Sequence, residues 1–376
     1  MPAAATTTGA ASPSFYGLLA VIVVLLVVGL VMVLSSSSVQ ALRVNGSAWY
    51  YFERQMMWVG LGGIAMAVCT RLDYRIWKRL AVPLLAGTGV LLFLVLVPGF
   101  GISVNGSTRW LGVGQWRIQP SELAKFALLV TTAVILTRHP DDVDDPRRSI
   151  RPVTAVAVPI FLLVMLQPDM GTTLVTGAIV LALLFVAGVP GLKMAKLVGW
   201  AAGGSLVLGI VEPYRRDRFL GFLHPWKDPM GIGYQTIQGR IALAEGRLAG
   251  VGLGASRAKW GFLPNAHTDF IFAIIGDEVG LAGTVGVVAL FVAFAVFGVR
   301  AALRAPDRFG ALLAAGITTW VTVQAFINIG AVIGILPITG VPLPFVSFGG
   351  SSLVLLMGVV GILLNIARQE RVPRTS

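Results

Sequence analysis

The sequence predicts an all-α integral membrane protein with about ten transmembrane helices and one long extracytoplasmic loop. Of its 376 residues, 56% are hydrophobic and only 12% are charged, and the mean hydropathy is +0.83. Soluble domains are about one-quarter charged, so this composition indicates a chain that faces lipid. No strand alternation of the barrel type is present in the sequence, which makes helices the spanning elements.

Apolar runs long enough, or nearly long enough, to cross about 30 Å of hydrocarbon recur along the chain. They lie near 16–34, 55–70, 80–98, 120–137, 152–166, 172–189, 197–211, 270–299, 310–335 and 351–367. The first run is longer than a signal-peptide core and has no basic segment before it, so we interpret it as an uncleaved helix. We expect a tail over 1–14, one membrane domain over 15–370 with its long outer loop at 212–268, and a second tail over 371–376.

The distribution of lysine and arginine predicts that both termini are cytoplasmic. With the N-terminus inside, the inner segments carry sixteen basic residues, whereas the short outer loops carry only Arg43, Arg54, Arg109 and Arg117. The net charge of +12 therefore indicates inner loops that face anionic lipid, rather than a nucleic-acid partner.

The long outer loop departs from this pattern because it holds eight basic residues. These are Arg215, Arg216, Arg218, Lys227, Arg240, Arg247, Arg257 and Lys259. Long loops cross the membrane regardless of charge, so the topology is unaffected. The loop is either simply solvated or a site for an anionic group at the outer face, and the interleaved aromatic, proline and glycine residues favour the site. Within it, a stripe of Ile237, Ile241, Ala244 and Leu248 predicts a helix that lies in the membrane interface.

Two polar features lie close to the predicted hydrocarbon region. Glu122 and Lys125 are three residues apart in QPSELAK, which places them on one helix face as an ion pair with either a bracing or a functional role. Asp169 in QPDMGTT is either the cap of the following helix or a catalytic group, and capping is slightly favoured.

The stretch FLPNAHTDFIFAIIGDEVG, residues 262–280, surrounds an apolar run with acids. Either the helix spans the membrane from Val279 onward, with Asp277 and Glu278 at the outer interface, or one long helix buries both acids. In both cases Asp269 lies at the outer mouth of the helix. Asp269 or Thr268 would serve as a helix cap, and the other is then available for chemistry.

Several long motifs, in order, resemble the SEDS family (Shape, Elongation, Division and Sporulation). These are GSTRWLGVGQWRIQPSELAK, QPDMGTT, YRRDRFLGFLHPWKDPMGIGYQ, LPNAHTDFIFAIIGDEVGL and GILPITGVPLPFVSFGGSSL. The resemblance covers residues 16–370, and the runs MVLSSSS and YYFERQ resemble FtsW more than RodA; SpoVE is a further relative.

The resemblance implies a peptidoglycan glycosyltransferase that polymerises lipid II, an undecaprenyl-diphosphate disaccharide-pentapeptide, at the outer face of the cytoplasmic membrane. It also implies a class B penicillin-binding protein of the FtsI type as partner, other membrane proteins of the division complex, and a place at the septum. By the same resemblance, Asp269 is required for polymerisation, and Trp110 and the Glu122–Lys125 pair are functional positions.

The chemistry of this reaction assigns roles to the remaining candidates. The donor sugar is α-linked and the product is β-linked, so direct displacement with Asp269 as general base is the economical route. The diphosphate leaving group needs positive charge, and a divalent cation, Mg²⁺ or Mn²⁺, is a possible helper rather than a certain cofactor. The predicted substrate-binding residues are Arg109, Trp110, Arg215, Arg216, Arg218, Arg240, Lys259 and His267, with Asp169, Asp277 and Glu278 as further polar candidates.

Three other functions stay open at this stage. A lipid II flippase would need polar residues along a path across the membrane, but here the polar groups gather on the outer side. A non-catalytic scaffold gives no reason for a basic loop beside Asp269. A RodA-type elongation polymerase, rather than a division enzyme, is a further alternative.

Overall fold

The structure is a computed structural model, and it describes residues 12–104, 107–114, 116–199, 203 and 221–370. Its α-helices are α1 Pro13–Asn45, α2 Tyr50–Arg71, α3 Ile76–Leu96, α4 Pro120–Arg138, α5 Ile150–Leu166, α6 Met170–Ala187, α7 Tyr234–Glu245, α8 Ile271–Leu303, α9 Arg308–Ile333 and α10 Ser351–Arg368. Residues 191–199 are also helical, and most of the predicted seventh run lies outside the described residues.

Seven helices in the described part of the chain are long and apolar enough to span a bilayer. They are α1, α3, α4, α6, α8, α9 and α10, and α5 is a shorter apolar helix. The predicted all-α, multi-pass membrane fold is therefore confirmed. The first helix is longer than its apolar run, because it continues through Ser35–Ser38 to Asn45, where Gly46 ends it with a φ of 74°.

The helices pack around α4, which is the most enclosed of the spanning helices. Small residues permit the close approaches, as at the contact between α10 and α2. A Cβ added to Gly361 would lie 2.5 Å from the Met66 carbonyl oxygen, so only glycine fits there.

A small antiparallel sheet between α3 and α4 was not anticipated. It comprises β1 Ile102–Val104, β2 Ser107–Val113 and β3 Trp116–Ile118, in the order β1-β2-β3. Its strands are too short to show a period-two pattern, and their apolar side chains resemble an extension of the neighbouring helices. The sheet carries Trp110 to the same end of the bundle as the start of α4.

Helix α8 is broken at Gly280, whose φ of 74° and ψ of −164° no helical residue adopts. The backbone groups released by the break pair with residues 247–252 of the long loop. The bonds run from Val251 N to Asp277 O (2.9 Å), from Gly252 N to Glu278 O (3.0 Å), from Leu281 N to Arg247 O (2.9 Å) and from Ala282 N to Leu248 O (3.3 Å). Of the two alternatives for this helix, burial of Asp277 and Glu278 is correct, but the helix is interrupted rather than continuous.

The predicted interfacial helix exists as α7, although its apolar stripe is only partly right. Ile237 and Ala242 are buried, whereas Ile241 is 40% and Leu248 is 72% exposed. The helix ends at Glu245, so Leu248 belongs to the loop that fills the break in α8.

Candidate active site

Asp269 lies in a tight turn immediately before α8. Asn265, with a φ of 56°, makes the turn, and its carbonyl accepts hydrogen bonds from the backbone N–H groups of Thr268 (3.1 Å) and Phe270 (3.2 Å). Helix α8 begins at Ile271 with Phe270 at the N-cap position. Asp269 is half-buried and stands one residue outside that position, and the Thr268 hydroxyl donates to Asn265 O at 3.2 Å. The capping interpretation of both residues is therefore wrong.

Three consecutive main-chain carbonyls hold this turn in place. The His267 carbonyl accepts from Phe348 N at 3.0 Å. The Thr268 carbonyl accepts from the Ser347 hydroxyl at 2.6 Å, and the Asp269 carbonyl accepts from Asn328 Nδ2 at 2.8 Å. We call these three bonds the carbonyl clamp. The clamp therefore holds the backbone of residues 267–269 through their main-chain oxygens.

The loop over residues 334–350, which supplies two of the clamp donors, is itself held by α9. Asn328 Nδ2 also donates to Val341 O at 2.7 Å, and Gln324 Nε2 donates to Pro342 O at 3.0 Å. Phe345 in this loop is buried with a φ of 64°, a left-handed conformation that is strained for a bulky side chain. Such strain persists only where the surroundings enforce it, which fits a loop built to a fixed shape.

The predicted ion pair joins the same network. Lys125 Nζ lies 2.7 Å from Glu122 Oε1, and both side chains are buried. Lys125 also donates to Gln324 Oε1 at 2.9 Å and lies 4.7 Å from the Trp320 ring centroid. Since Gln324 and Asn328 are one turn apart on α9, hydrogen bonds and α9 connect the ion pair to the clamp on Asp269. The i, i+3 pairing is confirmed.

Asp169 has the structural role that the sequence favoured. Its carboxylate caps α6 by accepting from Thr172 N at 3.2 Å, and it also accepts from the Ser121 hydroxyl at 2.8 Å. Arg109 donates to the carbonyls of Gln167 (3.2 Å) and Pro168 (2.6 Å). In this structure, Arg109 therefore fastens the sheet to the turn before α6, beside half-buried Trp110.

His267 is enclosed by aromatic rings. Its ring centroid lies 4.7 Å from that of Tyr51 and 5.9 Å from that of Phe348, and its Nδ1 lacks a hydrogen-bond partner within the described chain. Burial lowers the pKa of His267 to about 4, so the ring is neutral at physiological pH. His267 therefore packs among aromatic rings within the Asp269 turn, and its neutral ring supplies no positive charge for a diphosphate.

The predicted cationic residues that the structure describes do not converge on one point. Lys259 is buried against Glu278 at 3.2 Å, and Arg240 Nη2 donates to the Gly334 carbonyl at 3.1 Å. Arg215, Arg216 and Arg218 lie outside the described residues. Among the described residues, no group of three His, Cys, Asp or Glu side chains is arranged to hold a metal ion. A divalent cation therefore stays a prediction.

These features agree with what is found in known proteins. A family described as cell cycle protein, which unites FtsW, RodA and SpoVE, matches residues 16–372. The chain belongs to this family. Stage V sporulation protein E of Bacillus subtilis is 40% identical over 344 residues, covering 91% of this chain and 93% of the relative. A protein named probable peptidoglycan glycosyltransferase FtsW, from Thioalkalivibrio sulfidiphilus, is 44% identical, covering 90% of this chain and 86% of the relative.

Solved structures of FtsW/RodA/SpoVE family members share the fold. One comes from work on the structural coordination of polymerization and crosslinking by a peptidoglycan synthase complex. That chain has a TM-score of 0.76 and 30% identity, with 94% of this chain and 97% of the solved chain covered. The rod shape determining protein RodA of Thermus thermophilus has a TM-score of 0.69 and 26% identity, with the same coverage.

Sequence reasoning missed Asn328 and Ser347, whose side chains form the clamp, and Gln324, which holds the loop that supplies Ser347. One signal was present, because Gln324 and Asn328 are four residues apart in an otherwise apolar helix and so share a face. Their partners are main-chain carbonyls of distant segments, which no side-chain pattern reveals.

Proposed function

We propose that the chain is a peptidoglycan glycosyltransferase that polymerises lipid II at the outer face of the cytoplasmic membrane during cell division. The observation that carries the proposal is the carbonyl clamp, which fixes the backbone of Asp269 and of the two residues before it at the mouth of α8. The clamp thereby holds this carboxylate at one defined place at the start of the helix. The names of relatives that are about 40% identical over nine-tenths of the chain support the same activity.

In the proposed reaction, the 4-hydroxyl of one disaccharide attacks the anomeric carbon of the other. The new carbon–oxygen bond forms as the bond to the diphosphate breaks, and inversion gives the β linkage. Asp269 accepts the hydroxyl proton, as the base carboxylate does for water in inverting glycosidases. The clamp supplies the fixed geometry that this proton transfer needs. A displacement of the base by about 1 Å would strongly lower the reaction rate.

The leaving diphosphate requires cationic partners. Arg109, Arg240 and Lys259 already donate to protein acceptors, so their use would require an exchange of partners. We infer that Arg215, Arg216 and Arg218, which lie outside the described residues, make the main contacts to the diphosphate, with Mg²⁺ or Mn²⁺ as a divalent helper.

We further propose that the enzyme acts with a class B penicillin-binding protein of the FtsI type at the septum, among other membrane proteins of the division complex, with both termini in the cytoplasm. The similarity to a chain from a peptidoglycan synthase complex supports such a partner. The excess of basic residues on the inner segments supports the orientation.

The test of this function is polymerisation of labelled lipid II by the purified chain in detergent, with and without the penicillin-binding protein. Detergent abolishes the two membrane faces that a flippase requires, so glycan polymer identifies a glycosyltransferase. Absence of polymer under both conditions, together with lipid II movement across vesicles, would assign the chain to transport instead.

A further inference from the structure

A cavity of about 1030 Å³ opens beside the break in α8. Its walls are the end of α7, the loop over 246–251, Ala255 and Arg257, and Asp277 lines it from α8. Asp269 is not among the described residues that line it. The cavity is therefore a different place from the candidate catalytic carboxylate.

The shape of this cavity is firmly determined by the backbone. The loop is bonded to the released groups of α8, and a Cβ added to Gly246 would lie 1.8 Å from the Gly276 carbonyl oxygen. At the lip, Arg247 is held with a φ of 47°, a conformation that is uncommon for a residue with a Cβ. The part of the wall over residues 246–252 is therefore held in one shape by α8.

Charges of both signs surround the opening. Glu245, Arg247 and Arg257 are exposed, and none of the three side chains makes a hydrogen bond or an ion pair within the described part of the chain. These side chains retain their full capacity to bind a ligand.

Asp277 is the unusual member of the lining. It is 0% exposed, and neither carboxylate oxygen has a hydrogen-bond partner within the described chain. The buried Ser256 hydroxyl stands near it, yet also lacks a partner of normal geometry. The adjacent Glu278 is fully satisfied by Lys259 at 3.2 Å and by Ser35 at 2.6 Å. An unpaired buried carboxylate is costly, so a cation or hydrogen-bond donor that reached Asp277 from a ligand would stabilise it.

The composition of the cavity decides which kind of partner fits. A bare divalent ion needs several oxygen ligands, whereas the described residues hold no cluster of three metal-binding side chains. Two guanidinium groups at the rim would also repel such an ion, and the volume is far larger than one ion needs. A group that carries both an ammonium and a carboxylate matches the charges on both sides.

We propose that this cavity binds the stem peptide of the lipid-linked substrate. The peptide's side-chain ammonium lies toward Asp277 and Ser256, and its carboxylate lies on Arg247 and Arg257. Because Asp277 is fully covered in this structure, contact between the ammonium and its carboxylate requires a local opening beside the cavity. This inference rests on the proposed function, since it names a further part of the same substrate.

The experiment compares lipid II that has a free stem amine with lipid II whose amine is acetylated. Equilibrium binding of both radiolabelled substrates is measured in detergent, alongside KM and kcat for polymerisation. We expect the wild-type chain to bind the free-amine substrate about tenfold more tightly, as befits a hydrogen-bonded charge pair. Asp277→Asn should bind both substrates equally. Ser256→Ala, which keeps the carboxylate, should lose part of the preference.

Asp141→Asn on an exposed inner segment is the matched control, and it should keep the full preference. A wild-type chain that binds the two substrates equally, or an Asp277→Asn variant that still prefers the free amine, overturns the peptide site. If Asp277→Asn does not fold, Ser256→Ala and Arg257→Ala decide, since unchanged affinity in both overturns the site as well. Polymer without amine preference refutes only this inference, whereas amine preference without polymer refutes only the proposed glycosyl transfer.

Discussion

Asn328 on α9 holds Asp269 by its backbone, because one side-chain amide donates to the Asp269 carbonyl at 2.8 Å and to the Val341 carbonyl at 2.7 Å. The amide thereby ties the start of α8 to the loop before α10. Through this contact, α9 helps to fix the position of the turn that carries Asp269, the proposed general base.

Replacing Asn328 with alanine should therefore affect both stability and activity. Two carbonyls lose their donor, which costs about 1–3 kcal/mol of unfolding free energy, and the misplaced Asp269 should lower kcat by about 10- to 100-fold. Thermal unfolding and lipid II polymerisation measure the two effects.

Asn365→Ala is the control for Asn328→Ala. Asn365 is similarly buried, and its side chain bonds to Thr70 O (2.8 Å) and Tyr74 N (3.2 Å), far from the clamp. It should lower Tm comparably and leave kcat unchanged in the protein that remains folded. Equal losses of kcat in the two variants would show that the clamp has no special part in catalysis.

Glu122 and Lys125 should behave as a coupled pair. Lys125 is 1% exposed in its side chain, so removal of Glu122 alone leaves a buried positive charge. Each single change, Glu122→Gln or Lys125→Met, should cost about 3–5 kcal/mol, and the double variant should cost less than their sum. Tm values over the four proteins of the cycle measure the coupling, and strictly additive shifts would contradict the pairing.

Gly280→Ala should destabilise the protein strongly. The residue has a φ of 74° and a ψ of −164°, and an added Cβ would lie 2.4 Å from Gly250 N. We expect a loss of about 3 kcal/mol or more. Gly286→Ala in the same helix meets nothing within 4 Å and should be neutral or slightly stabilising. If the Tm falls equally for both variants, the break in α8 does not depend on glycine at position 280.

His267 predicts how stability changes with pH. Burial lowers its pKa to about 4 from an ordinary value near 6.5, so the unfolded chain takes up a proton at higher pH than the folded chain. The contribution of His267 to the free energy of unfolding is therefore fully present above pH 6.5. It is lost as the pH falls toward 4, and the total loss is about 3 kcal/mol. A His267→Phe variant should show a weaker fall of Tm between pH 6.5 and 4. If its Tm falls as steeply as that of the wild type, His267 is not responsible.

The sequence was sufficient to predict an all-α, multi-pass membrane fold, because long apolar runs directly indicate segments that lie in lipid. It also placed Asp269, Glu122 and Lys125 in the right surroundings, since ionisable residues are rare in such runs and therefore conspicuous. It did not show the break at Gly280, because a glycine between valine and leucine is compatible with an ordinary helix. The released groups pair with the long loop, and such pairing between distant main-chain atoms leaves no residue pattern.

The clamp was hidden for the same reason, as its acceptors are carbonyls that every residue carries. The partner of Lys259 was hidden for a different reason. Its charge indicated a substrate contact, but the three-dimensional packing brings it against Glu278, nineteen positions along the chain. A charged residue in a sequence indicates that a partner is needed, but the sequence does not show which residue that partner is.

The most direct test of the account is Asp269→Asn, assayed for polymerisation of lipid II by the purified protein in detergent. The substitution keeps the side-chain shape and the main-chain carbonyl on which the clamp acts, so Tm and binding of the penicillin-binding protein should match the wild type. Loss of the proton acceptor should lower polymer formation by about 10²- to 10⁴-fold, whereas Asp277→Asn should retain most of its kcat. An Asp269→Asn protein that polymerises at the wild-type rate would contradict the assignment of Asp269 as the general base.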